Sequence, residues 1–413
     1  MRFSLIAFNI LFFASSFGQE VYLPQMKGLR VSGEGRGQLP IADVDGRPIT
    51  IEFDLQEKEP MDFRLKVFHC DKDWRITDNS FVNDELRNTT KFPVPYTPAP
   101  EFVQHYAFHY SVKLPGFSVL ERFPQSGNYI FQIWDSKEKF LFGAGRFFVT
   151  ESLLTPSLQI RNRSLPSVTS PWNRVNMVEV AFAIPEHSGN QDFEFYPLLL
   201  KAVDIYRNRQ LFSATRIAVD DDTPNTFVDG YGLGRMKFIV DNVMPGNEYR
   251  RLDVRNVDHY PPGKDARPRE GADVSRFFKQ GARDNSGTST LTSGGRYADY
   301  LKYQFELLRE SDDLDSVFVA GDFNGWNPIE SWRMAYDAET KRYKLSQWLR
   351  RGVYDYQYVV GPNDWILLEG NDWRTVNLYS AFVYYHDPRF GGFDRIVGHV
   401  QGFGPGGVDA STN

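Results

Sequence analysis

The sequence predicts an all-β protein made of antiparallel β-sandwiches in series, immunoglobulin-like in build. Three observations predict it. Short segments of period-two alternation recur along nearly the whole chain, broken by Pro, Gly, Asn and Asp. Aromatic residues make up 15% of the chain, which suits strands packed face to face. The length of 413 residues, at roughly 150 per domain, allows two to four units, each with its own core.

The first element is an export signal. "MRFSLIAFNILFFASSFG" has a basic Arg2, an apolar run from Leu5 to Phe13 and small residues Ser16 and Gly18, which predicts a signal peptide over 1–18 cleaved after Gly18. That run is shorter than the about 20 residues needed to span a bilayer, and no later stretch is long enough. An exported protein with no direct membrane insertion is therefore expected.

From 19 to 153 the segments "PITIEFDLQ", "DFRLKVFHC", "VQHYAFHYSVKLP", "SGNYIFQIWD" and "FLFGAGRFFVT" predict an N-terminal β-sandwich. In "GNYIFQIWD", Tyr129, Phe131 and Ile133 share one face. Pro156 opens a middle β domain over 154–260, with "VNMVEVAFAIP", "YPLLLKAVDIY" and "MKFIVDNV" as strands. Between 261 and 295 the composition turns to Gly, Pro, Ser and charge with little apolar periodicity, predicting a flexible connection with at most a strand or turn near Phe277. A C-terminal sandwich over 296–400 follows, from "RYADYLKYQFELL" to "FDRIVGHV", with Gly352 at a hairpin turn. Residues 401–413, "GFGPGGVDASTN" from Gly402 on, have nothing to bury and read as a disordered tail.

The charge excludes some functions. The net charge is −6 with both signs interspersed, and neither a basic stripe nor a basic amphipathic helix is present, so no nucleic acid partner and no membrane surface is expected. There is no G-x-S-x-G, no H-E-x-x-H, no phosphate loop and no Cys/His cluster at zinc spacing. An enzyme is not expected, and no cofactor or metal. The lone Cys70 reads as a buried strand-end thiol, and His69 beside it points to the opposite face. His105 and His109 share a side but stand apart. The acidic runs Val219–Asn225 and Glu310–Ser316 lack EF-hand spacing and read as solvated turns.

The stretch "VFVAGDFNGWNP", Val317 to Pro328, with the later "YDYQYVVGPNDW", resembles the glycogen-binding early-set modules of starch and glycogen enzymes. The resemblance implies that two tryptophans stack on sugar faces and a lysine between them holds hydroxyls. Trp326 and Trp365 fall at the tryptophan positions; Gln357 stands at the lysine position. These three are the candidate glycan-binding residues of the alternative reading, a periplasmic glycan-binding sandwich. In the main reading no sugar ligand is expected: Gly321 and Gly325 permit a tight turn, Asn324 bonds its own backbone, and Trp326 covers the sandwich edge.

Six stretches in order, "FHCDKDW", "HYAFHYSVKLP", "SGNYIFQIWD", "GNEYRRLD", "EGNDWRTVNLYSAFVYYHD" and "FDRIVG", resemble the plug protein family of the type IX secretion system. The resemblance implies a periplasmic protein at the inner face of the outer membrane. Its partner would be the large outer-membrane β-barrel translocon, whose periplasmic mouth it closes. It assigns no contact residue. Trp172, Trp348 and Trp373 are candidate anchors if exposed. In "GNEYR", Glu248 and Arg250 share a strand face and are expected to pair with each other or with a neighbouring strand.

Overall fold

The computed structural model describes residues 19–34, 39–84, 86–90, 92–116, 120, 122–164, 174–185, 193–277, 284 and 286–404. The expected signal peptide, most of the expected tail and Trp172 lie outside them. Among the described residues the chain is strand and loop with a few single-turn 3-10 helices and no α-helix, as the alternation predicts.

In the first sandwich, Glu20–Val21, Leu141–Thr150, Gly127–Asp135 and Phe63–Cys70 form one sheet, joined in parallel by Ile41–Asp43. Met26–Ser32, Ile49–Leu55, Phe108–Leu114 and Tyr96–Pro98 form the facing sheet. Tyr129, Phe131 and Ile133 enter the core between them, as expected. The residues between them are buried as well: Ile130 is only 1% exposed and packs in a second apolar cluster on the far side of the sheet. A strand buried on both faces has lost its solvent side to another unit.

That unit is the middle sandwich. One of its sheets runs Ser157–Ser164, Arg174–Ala183, Arg235–Val243, Thr226–Asp229; the other runs Thr215–Ala218, Leu200–Arg207, Leu378–Asp387, Phe393–Phe403. The last two strands were expected in a C-terminal sandwich over 296–400. They instead complete the middle one, where Ala381, Val383 and Tyr385 share a core with Val203 and Ile205. Arg250–Asp253, expected in the middle domain over 154–260, pairs with Gly352–Val360 of the third sandwich. Alternation shows that a strand buries one face; it does not show which sheet supplies its neighbour.

In the third sandwich, Arg250–Asp253, Ser289–Leu291 and Val317–Gly321 pair with Gly352–Val360 and face the sheet of Tyr300–Leu308, Arg342–Arg350 and Ala335–Asp337. Arg342–Arg350 and Gly352–Val360 belong to different sheets, so Gly352 is not in a hairpin: the chain crosses between sheets at Arg351. The Arg351 guanidinium is buried and donates to the carbonyls of Val254 and Tyr260.

The segment read as a flexible connection is built into this sandwich over its described part. Ala266 and Asp273 bridge in parallel to Tyr303 and Leu307, and Ser289–Leu291 is a strand. These contacts are backbone hydrogen bonds to a sheet edge, which demand no apolar periodicity of the residues that make them. Residues 278–283 and 285 lie outside the described set.

Candidate functional site

The six motifs fall at the seams between the three sandwiches. "FHCDKDW", "SGNYIFQIWD" and "FDRIVG" meet where the first packs on the middle. Phe148 stacks on Phe382 with ring centres 4.2 Å apart. Around this apolar contact the Tyr384 hydroxyl donates to Asn128 at 2.8 Å, and the Lys72 amide donates to Asp394 at 3.0 Å. Arg216 of the middle sandwich donates to Asp204 from Nε at 2.7 Å and from Nη2 at 2.8 Å, and it also reaches Asp73 and the Lys72 carbonyl in the first. Arg395 forks onto Glu151 at 2.8 and 2.6 Å. Such two-pronged guanidinium–carboxylate pairs fix direction as well as distance.

"HYAFHYSVKLP" lies against the third sandwich, and its two histidines go to different carboxylates. His105 Nδ1 is 3.0 Å from Asp299. His109 Nδ1 is 2.7 Å from Asp54, with Glu52 at 3.7 Å from its Nε2. Hydrogen bonding to Asp54 and Glu52 raises the His109 imidazole to about 9, so it is a cation at neutral pH. Asp54, 1% exposed, also accepts from the Tyr300 hydroxyl at 2.7 Å and from Arg350 at 3.2 Å across the seam. Gly28 has φ +58°, and a Cβ there would collide with the Tyr300 hydroxyl. The close approach of the two sandwiches therefore requires glycine at 28.

"GNEYRRLD" and "EGNDWRTVNLYSAFVYYHD" grip each other where the middle sandwich passes into the third. Glu248 and Arg250 do not bond each other. Arg250 Nε donates to Glu369 at 2.9 Å, while its Nη1 is 3.0 Å from Asp273. Glu248 accepts the Asp284 amide at 2.8 Å. Asn247 donates to the Glu369 carbonyl at 2.9 Å, and Asn371 accepts the Gly246 amide at 2.8 Å. Glu369 is 1% exposed, and its buried carboxylate also accepts from Arg276 Nε at 2.8 Å and from the Tyr358 amide at 2.8 Å.

"GDFNGW" sits where all three sandwiches meet. The Asp322 carboxylate, 3% exposed, takes Arg30 of the first at 3.1 Å, Arg209 of the middle at 3.0 Å and the Ser289 hydroxyl of the third. Burial alone would raise this carboxyl; Arg209 and Arg30 outweigh burial and hold it below the usual carboxylate range. Asn324 accepts the Gly321 amide and donates to the Val319 carbonyl, the local bonding the sequence suggested. Trp326 has φ +59° and is fully buried; its indole donates to the Gly287 carbonyl at 2.8 Å, and its ring lies 4.2 Å from that of Tyr249. The backbone strain at Trp326 is held by this packing.

The three candidate glycan residues do come together, but inside the protein. Trp365 is 6% and Gln357 3% exposed, and the Gln357 amide donates to the Trp365 carbonyl at 3.1 Å. Neither Trp326 nor Trp365 offers an open ring face on which a sugar could stack. Of the candidate anchors, Trp348 is 42% exposed, with the Lys27 ammonium 4.9 Å over its ring, and Trp373 is half-buried under the Arg174 guanidinium.

Cys70 is fully buried, and burial pushes its thiol well above the ordinary range. His69, also fully buried, is pushed down to about 4 by desolvation, which keeps it neutral. Among the described residues no group of three or more His, Cys, Asp or Glu is placed to hold a metal. No helix among them is long and apolar enough to cross a membrane. The residues that make the seams, Arg30, Asp54, Arg209, Tyr300 and Asp322, were not singled out from the sequence. The one available signal was a charge within an otherwise core-forming strand, as in "ITIEFDL".

Residues 26–151 match the family model of the type 9 secretion system plug protein 1st domain. This match to the first sandwich supports the plug family that the six motifs resemble. A crystal structure of a hypothetical protein from Parabacteroides merdae ATCC 43184 covers 94% of this chain and 99% of its own, with a TM-score of 0.75 at 21% identity, a likeness of fold. Dimeric latent PorU from Porphyromonas gingivalis covers 91% of this chain and 34% of its own at 8% identity, with a TM-score of 0.14. No curated protein matches the chain.

Proposed function

We propose, on the premise that residues 26–151 carry a type 9 secretion system plug domain, that this protein is the periplasmic plug of that system. In this reading it binds the giant outer-membrane β-barrel translocon from the inner side and closes its periplasmic opening when no substrate is being exported. It is exported by a cleavable signal peptide and catalyses nothing.

The observation that carries the reading beyond the family match is the three-way seam at Asp322. A stopper across a wide pore has to resist deformation, and sandwiches hinged on open linkers would not. Here each pair of sandwiches is joined through buried charges, and the first and middle through apolar packing as well, which supports one stiff body. Releasable docking onto a barrel needs a contact of at least about 1,000 Å², and a body of three sandwiches has the surface to supply it.

The test is mild-detergent extraction of outer membranes carrying a tagged copy, with mass spectrometry of what co-elutes. The reading expects a very large β-barrel partner in near-equal amount, and membranes lacking the protein should leak large hydrophilic solutes. Absence of the barrel from the eluate overturns it. The glycan-binding alternative needs open tryptophan faces, and burial of Trp326 and Trp365 weighs against it.

A further inference from the structure

The strand Ser157–Ser164 ends one sheet of the middle sandwich, with Arg174–Ala183 on one side and, among the described residues, no strand on the other. It pairs in unbroken register, from Ser157 opposite Ala181 to Ser164 opposite Arg174. The next ladder shows which of its backbone groups face the open side. There the Ile184 amide donates to the Gly234 carbonyl, in line with Phe182 opposite Met236 and Val180 opposite Phe238. Backbone groups alternate sides along an antiparallel strand. Phe182 and Val180 therefore turn theirs to Arg235–Val243, while Ala181, Glu179 and Met177 turn theirs to Ser157, Gln159 and Arg161. Leu158, Ile160 and Asn162 are left with amides and carbonyls turned to the open side, where no described residue bonds them.

Sheet edges are ordinarily blunted by shortness, proline, a bulge, an inward charge or a cover. The opposite edge of this sheet, Thr226–Asp229, is four residues long, and Tyr96–Pro98 of the first sandwich carries a proline. Phe63–Cys70 is covered: the Val67 amide donates to the Asn88 carbonyl, and the Thr90 amide to the Leu65 carbonyl. Ser157–Ser164, eight residues long, has none of these devices. Its Leu158 and Ile160 point inward and are half-buried against the apolar core, and so is Val400 from the facing sheet. The core thus reaches the open side incompletely covered.

The geometry points to a docking edge at Ser157–Ser164 for one extended strand of a partner protein, which adds to the sheet through the backbone groups of Leu158, Ile160 and Asn162. A row of alternating donors and acceptors is matched by another strand. Residues directly opposite share a face, so the incoming strand carries apolar side chains beside Leu158 and Ile160 and polar ones beside Gln159 and Arg161. Arg163 is paired with Asp241, whereas Arg161 donates to the neutral Gln159 amide and keeps its charge uncompensated. An acidic residue opposite Arg161 is favoured. A second copy of this edge would bring arginines against arginines, which disfavours self-pairing. The edge does not depend on the plug reading, and either can fail without the other.

The experiment is selection of a random linear-peptide display library on the full mature chain, counter-selected on Asn162→Pro. The Asn162 amide takes no part in the ladder with Arg174–Ala183, so proline there blocks the edge and spares the fold, and an unchanged melting curve checks this. Ile160→Lys, an inward charge at the edge, replaces it as the counter-selection if the proline variant melts early. Expected are enriched peptides that alternate apolar and polar residues and slow hydrogen exchange of the Leu158, Ile160 and Asn162 amides. Their affinity for the blocked variant should be about tenfold weaker, the equivalent of one hydrogen bond. No enrichment over the blocked variant overturns the proposal. So do peptides that protect amides elsewhere and leave these three unchanged, and so does a concentration-dependent dimer that protects them in place of peptide.

Discussion

Arg30 and Asp322 stand 292 positions apart in the chain and meet at 3.1 Å, in a site that Arg209 enters from a third direction. The one carboxylate pairs with two guanidinium groups from two other sandwiches. Asp322→Ala leaves those cations facing each other, and removing one partner of a buried pair costs about 3–5 kcal/mol. Denaturant unfolding of the variant should show the lost stability, and X-ray scattering should show a wider distribution of shapes as the sandwiches move independently. A variant as stable and as compact as the parent contradicts the role given to Asp322.

The pH dependence of stability has two limbs. Burial lowers His69 to about 4 and His399 to about 4 from the ordinary 6.5, so between these values the unfolded chain binds more protons, and stability falls as pH falls through that window. His109, raised to about 9 by Asp54 and Glu52, acts oppositely. Its contribution is whole below 6.5 and is lost as pH rises through 9. Melting temperature against pH should therefore peak near 6.5, and His109→Gln should flatten only the alkaline limb.

Trp326→Ala should cost about 3–5 kcal/mol, the usual range for emptying a buried aromatic site. Trp326→Phe should cost less, losing the bond to the Gly287 carbonyl and part of the contact with Tyr249. Equilibrium unfolding measures both. Isothermal titration with maltoheptaose should give no heat of binding for the parent; a parent that binds, and a folded Trp326→Phe that does not, would restore the sugar reading.

Gly28→Ala should separate the first and third sandwiches, because the new methyl group occupies the place of the Tyr300 hydroxyl at a positive φ. Adding Tyr300→Phe should return part of the lost stability by removing the clashing oxygen. Thermal melts of the two variants decide it; no rescue in the double variant means that backbone strain alone accounts for the loss.

Cys70 should react with a maleimide only as fast as the protein unfolds, its thiol being buried and pushed up. Mass spectrometry of timed samples checks this, and rapid labelling of folded protein contradicts the buried placement.

Strands were legible wherever one face met a core and the other met water, as along Ile49, Ile51, Phe53 and Leu55. Their partners were not, because the alternation of Leu378–Asp387 is the same whether its neighbour is Gly352–Val360 or Leu200–Arg207. "GDFNGW" was legible as a turn from Gly321, Asn324 and Gly325. Its role at the seam was not, since Arg30 and Arg209 come to Asp322 only through the tertiary fold. Asp54 shows the same limit: it lies on the outward side of a strand and is buried only because another sandwich covers that side. The stretch from 261 to 277 lacked apolar periodicity because its order comes from backbone bonds to the edge of Tyr300–Leu308.

The pairing of Leu200–Arg207 with Leu378–Asp387 also sets an order of events for a chain that emerges N-terminus first. The first sandwich emerges early with all its strands. The middle one cannot close until Phe393–Phe403 has emerged, so half of its core waits with an open sheet edge while the whole third sandwich follows. Contacts this distant in sequence slow folding, and the waiting edge is the place where a chaperone would be needed. A chain truncated anywhere before residue 378 therefore loses the middle sandwich as well as its own end.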